Sequence, residues 1–369
     1  MSFEKDKRKF VFFTSLPTVG GHTTISISLT KLLYDYFDQV LVVSREMPGH
    51  GTSLEAITEL NELGAKTLIL GRNGIRQDIL QIAAYTKREW RKPDVFLAMG
   101  MRHLSPVFSL ILRPKKSIYY HITHELTPKI RRMLRLYSFF FSELAFISPA
   151  TEVIWSTHIN SIPTRCITQP IGIIESNPAT RSTIGPIRFG FLGRLNQAKG
   201  CDLVADFAKF SNSACELRIA GSGDFAAKFL ELSKNQDQAV KVRFDGEFTS
   251  GQRVEYLKDF FNEIDFLIVP SQDDREGIPT VILEALSAGV PVIATRTGGI
   301  VAFEKSTFGF VPDGPVQLVD KTEFRSALEL FAQKSKPSPM TREACKEYFA
   351  KYFSNHAIRL QWKKALEIH

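Results

Sequence analysis

The chain has 369 residues, 44% of them apolar and 23% charged, an ordinary globular balance and enough length for two domains with separate cores. No run of 18 apolar residues occurs, so a membrane-spanning helix is not expected. The charged opening, MSFEKDKRKF, has no apolar leader core, so secretion is not expected either. Net charge is +8 and uneven: residues 1–180 carry 22 Lys/Arg against 15 Asp/Glu, the remainder 25 against 24. Such a surface suits anionic lipid, an acidic acceptor or nucleic acid, although no nucleic-acid reader motif is present.

In chain order, short β-branched and aromatic runs predict strands over 10–14, 40–44, 66–70, 95–99, 117–121 and 144–147, with helical periodicity between them. Residues 172–186, GIIESNPATRSTIGP, have no periodicity and read as a linker. Strand–helix alternation then restarts, with strands over 187–192, 217–220, 240–244, 266–269 and 290–294. The expectation is an α/β protein with two Rossmann-like domains facing each other across a cleft, and ligands at the carboxyl ends of the strands. Cys166, Cys201, Cys215 and Cys345 have neither a C-x-x-C partner nor metal-ligand spacing. They read as reduced thiols of a cytoplasmic protein.

Three segments carry chemistry. In 276–299, EGIPTVILEALSAGVPVIATRTGG, Pro279 stands where a helix begins, and the N–H groups of Thr280 and Val281 then form an anion site at its start. Glu276 precedes that site and Glu284 lies just over a turn inside, a pair suited to hydroxyls on a phosphate-bearing ligand. The competing reading leaves both glutamates in water. In 187–204, IRFGFLGRLNQAKGCDLV, a strand runs into Gly193, and Arg194 and Lys199 follow within six residues. They suit a diphosphate or else are solvated loop cations; the Walker spacing is absent. In 119–126, YYHITHEL, His121 or His124 at a strand end can hydrogen-bond a hydroxyl or simply pack there.

Together these segments resemble glycosyltransferase family 4, the retaining GT-B transferases, also described as glycosyl transferases group 1. The resemblance rests on Glu276 and Glu284 separated by seven residues, on GRLNQAKG, and on IAGSGD and RFDGEF between them. It covers nearly the whole chain and is most specific over 187–311. It implies that Arg194 and Lys199 neutralise the donor diphosphate, that Glu284 binds ribose hydroxyls and that Glu276 binds the transferred sugar. Gly193, Gly221, Gly277, Ile278, Thr280 and Val281 would line the donor site, with Gly246 and Phe248 near the nucleobase. In the first half Gly20 and Gly21 match the family's glycine pair, and His124, rather than His121, best matches its sugar-proximal histidine. One departure is Ala302, where relatives often carry a glutamate; Glu304 stands two residues on.

The implied architecture is a GT-B fold. Residues 1–175 form the acceptor-side domain, 176–186 the linker and 187–345 the donor domain, and a C-terminal helix over 355–368 crosses back to the first. The implied reaction is metal-independent hexosyl transfer with retention, from a nucleotide sugar to a glycan or lipid-linked acceptor in cell-surface polysaccharide synthesis, with no cofactor and no nucleic acid. The alternatives are a sugar-nucleotide epimerase or hydrolase of the same fold, or a catalytically silent sugar-nucleotide-binding subunit. Lys129, Arg131, Arg132 and Arg135 alternate with an apolar stripe and Phe139–Phe141 follows. This stretch either docks peripherally on the inner face of the plasma membrane or packs its stripe on the protein's own sheet.

Overall fold

The computed structural model describes residues 8–18, 21–46, 51–71, 74–100, 104–124, 127–159, 161–174, 184–235, 237–247, 253–304 and 315–367. Gly20 and Phe248, and residues 176–183 of the expected linker, lie outside them. The chain divides into two compact units, residues 1–171 with 355–369, and residues 172–354.

The first unit is built on a seven-stranded, wholly parallel sheet: β1 (Lys9–Thr14), β2 (Gln39–Arg45), β3 (Lys66–Leu70), β4 (Val95–Met99), β5 (Lys116–His121), β6 (Glu143–Phe146) and β7 (Thr164–Cys166). Its order is 3-2-1-4-5-6-7. The strands read as unbroken apolar runs, KFVFFT and VFLAM among them, because helices cover both faces of the sheet. One face packs Phe10, Phe12, Val42 and Leu97; the other packs Phe13, Phe96, Tyr119 and Trp155.

The second unit has a six-stranded parallel sheet: β8 (Ile187–Leu192), β9 (Cys215–Ala220), β10 (Val240–Gly246), β11 (Phe266–Val269), β12 (Val292–Thr295) and β13 (Val316–Val319), in the order 10-9-8-11-12-13. Both sheets reverse direction of growth once, between β1 and β4 and between β8 and β11. In open parallel sheets a ligand crevice forms at that reversal, outside the carboxyl ends of the strands.

Three details differ from the sequence expectation. The strand placed at 290–294 starts at Val292, because Pro291 has no N–H to give the ladder. The edge strands β7 and β13 were not expected; TRC and VQLV are short and only half-buried, so no hydrophobic run announces them. The helix Pro339–Tyr352 runs past residue 345 within the second unit, where the Arg342 guanidinium lies 3.3 Å from the buried Asp265 carboxylate.

The helix Asn355–Leu366 packs into the first unit. Ile358, Trp362, Ala365 and Leu366 belong to the core that also holds Phe10 and Val42, and the Trp362 ring meets Tyr120 edge-on at 5.4 Å. The Thr168 N–H donates to Gln361 Oε1 at 3.2 Å. The basic stretch forms the helix Pro128–Tyr137, capped by Thr127. Its stripe of Ile130, Leu134 and Tyr137 is buried in the unit's own core, with Tyr137 against Tyr119 at 4.8 Å. Lys129, Arg131, Arg132 and Arg135 are exposed, and so are Leu136 and Phe139, the latter at 81%.

Candidate active site

β8 and β11 flank the reversal point of the second sheet, so the loops that follow them are neighbours. The loop after β8 carries Arg194 and Lys199. Asn196 shapes it: its Oδ1 accepts from the Lys199 N–H at 3.1 Å and starts a single 3-10 turn, Gln197–Lys199. Gly200 ends that turn in the left-handed region at φ 75°, a conformation costly for any residue with a side chain. A β-carbon there would also overlap the Pro270 carbonyl oxygen.

Backbone bonds stitch this loop to the one after β11. The Gln272 N–H donates to the Ala198 carbonyl at 2.9 Å, and the Ser271 hydroxyl reaches the same oxygen at 3.3 Å. Lys199 and Glu276 are thereby brought together: Lys199 Nζ donates to Glu276 Oε2 at 2.6 Å, with both side chains largely buried. The Ser271 hydroxyl lies 3.3 Å from that oxygen as well, so its one proton is shared between Glu276 and the Ala198 carbonyl. Arg194 is exposed beside them, and among the described residues no carboxylate pairs with it.

The helix Thr280–Ser287 follows, with Pro279 as its N-cap residue rather than its first turn. Ile282 to Ser287 are all buried, while Thr280 and Val281 at its start are half-exposed. The helix therefore offers its first N–H groups and its positive dipole end at the surface. Glu284 is 3% exposed, which rules out the reading in which it faces water. Its Oε1 pairs with Arg253 from the start of the helix Arg253–Glu263.

The acidic loop SQDDREG is tied into its own scaffold. Arg275 donates to Asp273 at 2.9 Å and holds that carboxyl below its ordinary range. Thr297 and Lys321 donate to Asp274 at 2.6 and 3.3 Å and lower it likewise. The glycine pair after β12 supports the glutamate loop, with the Gly299 N–H donating to the Glu276 carbonyl at 2.7 Å. Ala302 is buried, and Glu304 pairs instead with Arg296 at 2.9 Å.

IAGSGD follows β9. A β-carbon on Gly221 would overlap the Gly193 carbonyl, and the Gly221 N–H donates to Gly246 at 2.8 Å. Gly193, Gly221 and Gly246 are thus one continuous backbone contact across β8, β9 and β10. Beneath it Arg218, 6% exposed, binds Asp245, Asp259 and Glu263 at 2.6, 2.8 and 3.0 Å.

In the first unit, His124 Nδ1 lies 2.9 Å from Thr151 Oγ1 and is nearly buried. His121, 2% exposed, stands among Tyr119, Phe146 and Trp155. Gly21 opens the helix Gly21–Tyr34 after β1. Its neighbour His22 was missed by the sequence reading. His22 Nε2 meets Thr14 Oγ1 at 3.2 Å, and its ring lies against Gly100 after β4, at the reversal point of the first sheet. Burial lowers its pKa to about 4. Only tertiary contact with Gly100 marks it out; the sequence shows an unremarked His in a glycine turn. Among the described residues no group of three His, Cys, Asp or Glu side chains is placed to hold a metal ion.

Two parallel-sheet units of this order define the GT-B class. Solved structures agree on the fold across almost the whole chain. Anabaena Alr3699/HepE in complex with UDP and glucose superposes with a TM-score of 0.71 at 15% identity, covering 98% of this chain and 100% of that one. The lipopolysaccharide outer core galactosyltransferase WaaB, in its apo form, gives 0.68 at 15% identity over 97% and 99%.

Within that class, residues 186–324 match the family described as glycosyl transferases group 1. Among curated relatives, the amylovoran biosynthesis glycosyltransferase AmsK of Erwinia amylovora is 28% identical over 141 residues, 36% of this chain and 34% of that protein. The D-inositol 3-phosphate glycosyltransferase of Corynebacterium jeikeium is 25% identical over 185 residues, 48% of this chain and 41% of the relative. The chain therefore spans less than half the length of these relatives.

Two outcomes are expected from this geometry. Gly200→Ala strains the turn and drives a methyl group into Pro270. It should destabilise the protein by roughly 1–3 kcal/mol or more in denaturant unfolding. Unchanged stability would mean that the turn simply relaxes. His22 is held neutral in the folded state, so unfolding takes up its proton between pH 6.5 and about 4. Stability from this group is present above pH 6.5 and is lost as pH falls toward 4, at up to about 1.4 kcal/mol per pH unit. His22→Asn should flatten the fall of Tm across that window, and an identical pH profile would refute it.

Proposed function

We propose that the protein transfers a hexose from a nucleotide-sugar donor to a glycan or lipid-linked acceptor, with retention of anomeric configuration and without a metal ion. The observation that carries this reading is the stitched loop pair, which sets Lys199 against Glu276 beside the exposed Arg194, unpaired among the described residues, and the half-exposed helix start at Thr280. The relatives support it: one is named for amylovoran biosynthesis, another as an inositol phosphate glycosyltransferase, and a structural neighbour binds UDP and glucose.

The mechanism follows from charge. In the free protein Lys199 satisfies Glu276. An incoming diphosphate offers Lys199 a stronger anionic partner and releases Glu276 oxygen to accept from sugar hydroxyls. Arg194 can grip phosphate oxygens through its planar fork, and the N–H groups of Thr280 and Val281 add dipoles that need no reorganisation. As the glycosidic bond to phosphate breaks, the acceptor oxygen bonds the same carbon and its proton passes to the departing diphosphate; the negative charge that grows on that diphosphate is opposed by these fixed groups. Catalysis is thus positioning plus leaving-group stabilisation. His124 in the first unit is proposed to bond a sugar hydroxyl, its ring held by Thr151.

The test is transfer from a panel of UDP-, GDP- and ADP-sugars, preceded by thermal shift to find the donor. Arg194→Ala and Lys199→Ala should each lower turnover by about 10²-fold or more with little change in Tm. Activity should survive EDTA. Full turnover in both variants, or EDTA loss restored by manganese, would sink the assignment.

We further propose that the first unit works at the inner face of the plasma membrane. Arg131, Arg132 and Arg135 are exposed around Leu136 and Phe139, and residues 87–135 carry 12 basic against 3 acidic residues. No helix among the described residues is long and apolar enough to cross a membrane. Replacing the three arginines with glutamine should abolish flotation with anionic vesicles and leave donor binding intact. Equal partitioning onto neutral and anionic vesicles would overturn the electrostatic account.

A further inference from the structure

Glu284 presents an asymmetric carboxylate. One oxygen, Oε1, is taken by Arg253 Nη2. The other, Oε2, is buried and has no hydrogen-bond partner among the described residues. A buried acceptor left open in this way is costly, so such atoms ordinarily have a donor. Being acceptor-only, the oxygen calls for an O–H or N–H from a ligand.

The place of that oxygen narrows the ligand. Glu284 is four residues after Thr280, so the two share a face of the helix roughly 6 Å apart along its axis. A phosphate at the helix start would put the adjoining sugar of a nucleotide one turn along, and that sugar carries vicinal hydroxyls. The post that holds Arg253 is equally particular. Its helix, Arg253–Glu263, is anchored by the buried Leu257, Phe260 and Phe261. Arg218 binds Asp259 and Glu263 from below, and the Tyr256 hydroxyl donates to Asp245 at 2.8 Å. Asp245 stands at the end of β10, in the stretch the resemblance assigns to the nucleobase. One ion network therefore fixes both the base-side loop and the start of the helix that carries Arg253.

We propose that Arg253 is the positioning residue for ribose recognition: by occupying Oε1 it fixes the Glu284 carboxylate with Oε2 as the single open acceptor, so that a ribose hydroxyl is bound and its absence is penalised. This rests on the nucleotide-sugar reading above. Arg253 does not touch the reacting atoms; it acts through Glu284. Without it the carboxylate loses its anchor, rotates toward solvent or ordered water, and no longer offers a pre-aligned oxygen.

The experiment is a cycle between residue and ligand group. Binding of UDP, GDP and ADP, and of their 2′-deoxy and 3′-deoxy counterparts, is measured by calorimetry on the wild type, Arg253→Met and Arg253→Lys. Inorganic pyrophosphate serves as the control for an intact phosphate site. For the diphosphate that the wild type binds, loss of the recognised hydroxyl should weaken binding about tenfold or more. In Arg253→Met that ratio should collapse to within about threefold while pyrophosphate binds as before, and Arg253→Lys should restore part of it. If Arg253→Met does not fold, Arg253→Gln replaces it with the same expectation. A ratio unchanged in the uncharged variant, or ribo- and deoxynucleotides weakened by one common factor, would overturn the inference and leave the nucleotide reading standing. Failure of all three nucleotides to bind the wild type would overturn the nucleotide reading, and the inference with it.

Discussion

Between Gly200 and the carbonyl of Pro270 there is no space for a methyl group, and the candidate site is organised by that closeness. The loops after β8 and β11 are adjacent because their strands pair at the point where the sheet reverses. Adjacency alone would leave them sliding. The left-handed turn at Gly200 lets one backbone rest on the other, and the bond from Gln272 to Ala198 then locks the register. Only with that register set can a lysine from one loop and a glutamate from the other meet at 2.6 Å.

The two signature glutamates share a design. Each rests against a cation in the free protein, Glu276 against Lys199 and Glu284 against Arg253. A largely or fully buried carboxylate without such a partner would carry a heavy desolvation cost, and the cation offsets it. The pairs differ in what they leave open. Lys199 and Ser271 both converge on one oxygen of Glu276, whereas Glu284 keeps one acceptor that no described residue meets. The first pair is built for exchange of partners and the second for addition of one.

Much of this was legible in the sequence because it is local. The interior strands declare themselves as apolar runs, and Pro279 marks the helix start within a residue. Spacing left Glu276, Glu284, Arg194 and Lys199 open to a solvated reading, and the family resemblance of their segments singled them out. What was not legible is tertiary. Arg253 is one arginine among many on a helix of ordinary composition, and only the fold brings it to Glu284. His22 looks like a turn residue until Gly100 closes over it. The edge strands β7 and β13 lack the two-sided burial that would have written them as hydrophobic runs. The basic helix could be drawn in full from its periodicity, but periodicity does not say what an apolar stripe packs against; here it is the protein's own core.

The helix Asn355–Leu366 has a consequence for how the chain is made. It supplies Trp362 and three further core residues to the unit built from residues 1–171, yet it is encoded after the whole of the other unit. During synthesis the first sheet leaves the ribosome with one apolar flank uncovered, and it waits while some 180 residues are translated, about 10 to 40 seconds at ordinary elongation rates. The second unit, continuous in sequence, can complete its own core in that interval. Of the two units, the one translated first is therefore the last to close.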